Sequence, residues 1–435
     1  MRKICLTLPT NRECSATISI MAEEAAYAAG HFGVEVHFLI LDSTDGDTFA
    51  RHAKAVEAAR GVPKVVIWHL DEAAQRIFLR DIIRHSGVGQ PELILDLMLP
   101  AESSYGACTN RAFLFASALG CDSVHRRDSD SRYQILHGTP VFPIHHEMMS
   151  LGKSAAEAAG SVSQTILHPA QASQPVVMVG SSFVGELSVD IGEIYDLNPD
   201  VYDDVVSLWA PGNWPEARKR KLVDESFKGS EATFTYDRST LTIVDPMTVD
   251  MHNIAFYQVQ EQVPLLPATN TIGSDYFLIH VVYEAKLPGV QHNRNIVNFH
   301  TPERKTESGF AAYQMRFVKF FLSMLYLNFI YQRMTEAGQA LLDDRDNIRA
   351  PMIIEFVRES IELDKEENVE RLDVIDRAYR KLGGKYAAFA DIVLSHRQQL
   401  LDEARKDMEY FALLIGSWAR LVHASKNVNF VEPQA

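Results

Sequence analysis

The chain has 435 residues, 46% hydrophobic and 23% charged, with a formal net charge of −15. That length exceeds one small core and suits roughly two or three folding units. The acidity excludes a general nucleic-acid surface, which needs clustered Lys and Arg, but not phosphorylated small molecules met by a metal ion or a local arginine cluster.

The N-terminal "MRKICLTLPTNRE" has a basic start but too few apolar residues before its proline for a signal-peptide core, so a cytoplasmic protein is expected. Lys3 to Thr10 reads as the first strand, followed by a helix from about Ser15 that Gly30 would cap. Val34 to Asp42 is the second strand and Lys64 to Leu70 the third, with an alanine-rich helix between them. "PELILDLML" near Asp96 is another apolar run, equally able to close a helix. Thr109 to Gly120 reads as a short amphipathic helix. "DSVHRR" is the strand after it, delivering Asp128 and Asp130 at its C-terminal end. Strands alternating with helices imply β-α-β units and a largely parallel sheet, whose ligands sit at the carboxyl ends of the strands.

From Gln134 to Val249 the pattern loosens into loops and short strands. Beyond about Gly309 the periodicity is helical almost throughout, which predicts a helical C-terminal region serving as a lid, a packing platform or a homo-oligomer surface. "FVKFFLSMLYLNFIYQRM" (Phe317 to Met334) carries Lys319 and Asn328 and lacks the ~20 clean apolar residues of a spanning helix. It reads first as a buried helix or oligomer interface and only distantly as a membrane-surface contact. The four cysteines never approach a C-x-x-C spacing, which signals free thiols.

In "HRRDSDSRY" two carboxylates flank Ser129. Residues two apart in an extended strand share a face, so both can aim at one cation, whereas a polar turn is the plainer alternative. The triplets at Asp45 to Asp47 and Asp344 to Asp346 show that the pattern alone is weak. Three further stretches are decoys. "VVMVGSSFVGEL" has Glu186 where a phosphate loop needs Lys, "HHEMMS" lacks the second histidine of a zinc-protease helix, and no Gly-x-Gly-x-x-Gly follows a strand. "WAPGNW" (Trp209 to Trp214) offers either an acceptor-stacking surface or loop anchors.

Taken together, the motifs resemble the GT-A fold of nucleotide-diphospho-sugar glycosyltransferases, within it the large inverting group that contains cellulose, chitin and dolichyl-phosphate-mannose synthases. "LPTNRE" is similar to the family's first-strand motif, implying donor contacts from Pro9, Thr10, Asn11 and Arg12. "LILDSTDGDT" is similar to its strand-two signature, implying nucleoside contacts from Asp42 and Asp45. "YGACTNRAFLFASALGCD" resembles the helix that leads to the metal strand. There Asn110 carries over, and with Thr109 in the place of the usual Arg, Arg111 is left for the diphosphate. "RRDSD" falls at the family's Asp-x-Asp, implying Asp130 as a direct metal ligand, Asp128 through water or on the ribose, and Arg127 beside them. "DMHNIAFYQ" resembles the acceptor segment and "IGSDYFLIH" the catalytic-base segment, where Ser274 replaces Glu and Asp275 is the candidate base; its alternative is a helix N-cap. "QHNRNIVNFHTPERK" supplies Arg294 and Arg304 for the diphosphate and His292 or His300 as a metal ligand.

The resemblance implies an α/β GT-A fold with a helical C-terminal extension, a transferase unit over 1–305 (nucleotide half 1–133, acceptor half 134–305) and a helical region over 306–435. It implies Mn²⁺ or Mg²⁺, which prefer hard oxygen ligands, and a UDP-type donor, while the lack of a spanning segment favours a small soluble acceptor over a growing surface polymer. The alternatives are a nucleotidyltransferase, disfavoured by the glycine-free "LPTNRE", and a non-catalytic GT-A-like binding protein.

Overall fold

The computed structural model describes residues 1–230, 232–300, 306–428 and 430. Its centre is a nine-stranded mixed sheet. In chain order the strands are β1 (Lys3–Thr10), β2 (Glu35–Asp42), β3 (Val65–Leu70), β4 (Ser123–Arg126), β5 (Gln164–Thr165), β6 (Met178–Gly180), β7 (Ser239–Thr242), β8 (Ile254–Tyr257) and β9 (Gly289–His292). Their spatial order is β3-β2-β1-β4-β8-β6-β9-β7-β5. The first four run parallel, whereas β8 runs antiparallel to both β4 and β6. The carboxyl ends of β1 and β4 therefore meet the amino end of β8.

The parallel half forms as its pattern requires: β1 and β2 are buried on both faces, as helix-covered parallel strands must be. The first helix, Ser15–Phe32, runs past Gly30 and ends at Gly33, whose φ of +68° supplies the left-handed C-cap that Gly30 was expected to provide. The run near Asp96 is a helix, Pro91–Met98, with its proline at the first turn. The next helix, Tyr105–Ala118, begins four residues earlier than expected because Ser104 caps it, accepting from the Ala107 N–H.

Five further helices make up the C-terminal region: Glu307–Ala337, Ala350–Ile361, Glu366–Leu382, Gly384–Ser395 and Arg397–Ser425. The long first one is buried on nearly all sides through Phe317–Leu327. Its two polar interruptions are satisfied inside the protein, Lys319 by Glu403 at 3.1 Å and Asn328 by the Trp209 carbonyl at 3.0 Å. Among the described residues no helix is long and apolar enough to cross a membrane. Arg397–Ser425 packs on the helices Glu72–Ser86 and Tyr105–Ala118. Trp418, fully buried, donates to the Gln260 carbonyl at 3.1 Å, and Phe430 inserts between Trp68, Phe78 and Phe115. The C-terminal region thus shares one core with the sheet.

Candidate active site

A cavity of about 400 Å³ opens where β1, β4 and β8 meet, roofed by the helix Glu307–Ala337. Strand alternation decides what β4 sends into it. Arg126 and Asp128 face the cavity, whereas His125 and Arg127 face the opposite side of the sheet. Thr17 donates to the Ser129 carbonyl at 3.0 Å, and the Asp128 N–H reaches the Ser131 hydroxyl at 3.3 Å, so the turn after β4 is held and Asp130 also lines the cavity.

Arg126 is the hub. It pairs with Asp128 at 3.0 Å and with Asp275 at 2.6 Å. Burial works against its charge, but the pull of Asp128 and Asp275 outweighs it and raises the guanidinium pKa. Burial also raises the Asp128 carboxyl, with Arg126 opposing and Asp130 adding to the rise. Arg12 binds Asp130 at 2.9 Å.

Asp275 is positioned from the opposite wall. Gly106 donates its N–H to the Ser274 hydroxyl at 3.2 Å, and a Cβ on Gly106 would lie 1.9 Å from the Leu266 carbonyl oxygen, so only glycine fits this approach. The helix that follows is Phe277–Glu284 with Tyr276 at its N-cap position. Asp275 is therefore not a cap; its carboxylate is spent on Arg126.

The antiparallel register ends at the pair Ile254–Arg126, and His252, in the turn that leads into β8, lines the cavity with Asp128. The His252 Nδ1 contacts Asp250 at 2.5 Å, while its Nε2 is buried without a hydrogen-bond partner. Burial disfavours the charged imidazole, but Asp250, with Asp128 and Asp130 behind it, raises its pKa. Asp250 is held low, against burial, by His252 and by a hydrogen bond from Tyr276. Arg316, from the long helix, lines the same cavity. Among the described residues its one hydrogen bond is to the Tyr105 hydroxyl, at 3.4 Å, and its Nε is buried without a partner. Among the described residues it has no carboxylate partner.

The other expected residues divide. Pro9, Thr10, Asn11, Arg12 and Arg111 line the cavity with Asp128, Asp130 and Asp275. Arg111 is nevertheless committed to Gln75 at 2.9 Å and the Met98 carbonyl at 2.6 Å. Asn110 is buried on the Leu265 backbone through two hydrogen bonds, a tie between segments and not a ligand contact. Asp45 caps the helix Gly46–Ala59 and lines a neighbouring recess with Asn11 and Arg316.

Asp42 lies beneath the cavity floor. His52 and His69 reach it at 2.7 and 2.8 Å, Thr44 at 2.6 Å, and these bonds, against burial, hold its carboxyl down to about 2. Asp42, His52 and His69 are close enough to hold a metal ion. His52 is nevertheless used at both nitrogens, since Nε2 accepts from the Cys14 N–H at 3.0 Å and Nδ1–H must then donate to Asp42. A cation on Nδ1 would force a proton onto Nε2 against that N–H. The group is a closed hydrogen-bond network.

Four residues stand away from the cleft. Arg127 is fully buried with Glu24 and Glu147 because it sits one position out of phase with Asp128. Arg294 binds Asp237 at 2.7 Å and the Phe142 carbonyl at 3.0 Å. His292 stacks on His146 with ring centroids 5.2 Å apart, and His300 lies among Glu186, Leu187 and Asp190. Neither histidine lines the cavity. Arg304 lies outside the described residues. Arg126, His252 and Arg316 are not among the site residues expected from the sequence. Alternation along "HRRDSD" exposes Arg126, since it shares a parity with Asp128; His252 and Arg316 arrive through tertiary contacts and leave no local signal.

Two solved structures show loose likeness. One is a mycobacterial protein, at 16% identity and a TM-score of 0.34, covering 74% of each chain. The other is a mannosyltransferase from Pyrobaculum calidifontis in complex with GDP-Man and Mn²⁺, at 11% identity and a TM-score of 0.35, covering 96% of this chain and 86% of that one. Superpositions this loose carry no assignment. No curated protein matches the chain. Residues 2–434 match the family described as "Family of unknown function (DUF6271)", and the chain belongs to that family.

Proposed function

We propose that this cleft is the active site of a metal-dependent glycosyltransferase of GT-A type, moving a sugar from a nucleoside-diphosphate donor, UDP-type favoured, to a small soluble acceptor. In this reading residues 1–305 form the transferase unit and the helices of 306–435 complete its roof. The observation that carries it is the convergence of Asp128, Asp130, Asp275 and the acid-free Arg316 on one cavity at the carboxyl ends of β1 and β4. A half-buried guanidinium that has no carboxylate partner among the described residues and keeps a buried, unpartnered Nε has donors left for an anionic ligand.

Asp128 and Asp130 are of the chemistry that a hard divalent cation such as Mn²⁺ or Mg²⁺ prefers, although among the described residues their ligand atoms and those of His252 are not drawn within 4.8 Å of one another, so binding would have to draw them in. In this reading Asp128 and Asp130 would supply oxygens, and His252, held by Asp250 and with an unpartnered Nε2, would supply the nitrogen. When bound, the cation neutralises charge developing on the diphosphate. Arg316 contacts the same anion, while Thr10, Asn11 and Arg12 border the nucleoside end. Asp275 takes the proton of the attacking hydroxyl, and Arg126, tied to its Oδ2, fixes the direction of the carboxylate.

A second, metal-free reading has its own support, because Asp130 and Asp128 each already carry an arginine partner. Calorimetry with UDP and GDP, with and without Mn²⁺, separates the two. The transferase reading expects metal-dependent binding that Asp130→Asn lowers at least about tenfold, as loss of a charge-assisted contact would. Metal-independent binding untouched by that substitution supports a non-catalytic nucleotide-binding protein, and silence toward both nucleotides removes the transferase.

A further inference from the structure

Beyond the carboxylates the cavity changes character. Its inner wall is built from Trp209, Phe227 and Phe320, with Met324 and Leu327 behind them on the long helix. Trp209 stacks on Phe227 at 5.1 Å and 22°, and meets Phe320 edge-on at 5.5 Å and 70°. The loop bearing Asp275 passes close to one of these rings: Gly273 has a φ of +72°, and a Cβ there would approach the Phe320 ring to 3.1 Å, so the chain that carries the proton acceptor packs against the aromatic wall.

At the far end His280 and Tyr331 stack with centroids 3.8 Å apart and planes 13° apart. Burial alone holds the imidazole neutral, with its pKa lowered to about 3, and raises the phenol. No hydrogen bond of either side chain ties it to another described residue, although both line the cavity. This chamber suits a sugar or a peptide acceptor poorly, since each buried hydroxyl or amide left without a partner costs roughly 1–3 kcal/mol. A flat apolar body gains from the same walls at about 25 cal/mol per Å² and from ring–ring contact.

We propose that the acceptor is a hydroxylated aromatic small molecule, its ring seated against Trp209, Phe227 and Phe320 and a distal polar substituent met by His280 and Tyr331. The assignment rests on the transferase reading of the cleft. In the transfer the ring-bound hydroxyl oxygen bonds to the anomeric carbon, the bond from that carbon to the phosphate oxygen breaks, the nucleoside diphosphate leaves with the electron pair, and the hydroxyl proton passes to Asp275.

The test is direct binding by calorimetry of 2-naphthol, 2,6-dihydroxynaphthalene and glucose to the full chain, with the nucleotide titration run separately. Both naphthols are expected to bind and glucose not. Trp209→Ala should weaken 2-naphthol at least about tenfold and Trp209→Phe restore most of that loss. Tyr331→Phe, which keeps the stacked ring, should weaken the dihydroxy compound several-fold and leave 2-naphthol unchanged, a difference that misfolding would not produce. Glucose binding without the naphthols overturns the proposal, as does naphthol binding indifferent to both Trp209 and Tyr331. If UDP and GDP fail while the naphthols bind, the aromatic ligand class stands and its role as acceptor falls. If a nucleotide binds and the naphthols do not, the aromatic acceptor alone is lost.

Discussion

The two faces of β4 carry the same residue types to opposite ends. On one, His125 and Arg127 meet Glu24, Glu147 and Tyr133 in a cluster whose charged side chains are wholly excluded from solvent. Arg127 donates to Glu24 at 2.8 Å, Glu24 also accepts from the Ile144 N–H at 3.0 Å, and His125 donates to or accepts from Ser123 and Glu147 at 2.9 and 2.7 Å. On the other face Arg126 spans Asp128 and Asp275, but the Arg126 Nε and the His252 Nε2 are left without partners, and the cluster borders a cavity. On the first face Glu147 Oε1 also lacks a hydrogen bond, but its ion pair with Arg127 at 3.1 Å balances its charge and the cavity does not reach it, so that network serves to hold the fold. On the second face the unpartnered atoms belong to residues that line the cavity, so their bonding capacity is left for a ligand.

Four substitutions probe that contrast. Asp275→Asn, on the open face, is expected to cut transfer about 10²–10⁴-fold, as loss of a general base does, while donor affinity measured by calorimetry stays as it was. Full activity would reduce Asp275 to a partner for Arg126. Arg127→Met, on the closed face, leaves Glu24 and Glu147 buried without a cation. Urea unfolding should show a loss of about 3–5 kcal/mol, and a loss below about 1 kcal/mol, the scale of an exposed pair, would erase the distinction between the faces.

Arg316→Ala should weaken UDP or GDP binding about tenfold, the scale of one charged hydrogen bond, with the unfolding midpoint little changed because Arg316 holds no carboxylate among the described residues. Glu147→Gln is the subtlest. Burial opposes the Glu147 charge, but Arg127 and the hydrogen bond to His125 hold its carboxyl down to about 2. Its folded pKa lies below the unfolded value of 4.5, so its contribution is complete above pH 4.5 and is lost as pH falls toward 2. Stability of the variant should lack that limb, its slope below pH 4.5 shallower by up to about one proton. A slope identical to that of the wild type would place the acid lability elsewhere, Asp42 being the next carboxylate held to about 2.

The closed face also explains which motif residues could be read from the chain. Asp128, Asp130 and Asp275 were legible from residue type and order, and the cavity brings them together. Arg127, adjacent to Asp128 in sequence, was counted with them, although a period of two sends neighbours in a strand to opposite faces. His292 and His300 are plausible ligands by type, yet β9 lies two strands beyond β8 from β4, and the histidine whose charge Asp128 supports is His252. Asp275 looked equally like a helix cap until its carboxylate was seen bound to Arg126.

By itself the sequence determined the alternation of strands and helices, the parallel first half of the sheet, the helical C-terminal region and the acidic turn after β4. Each follows from periodicity, glycine placement and capping, which act over a few neighbouring residues. Only the tertiary structure decided that Arg126 bridges two carboxylates 147 positions apart in the chain (275 − 128), that Arg316 reaches the cleft from the long helix, and that aromatic rings wall its inner half. Those contacts depend on strand order and on which face each helix buries, and neither is encoded at short range.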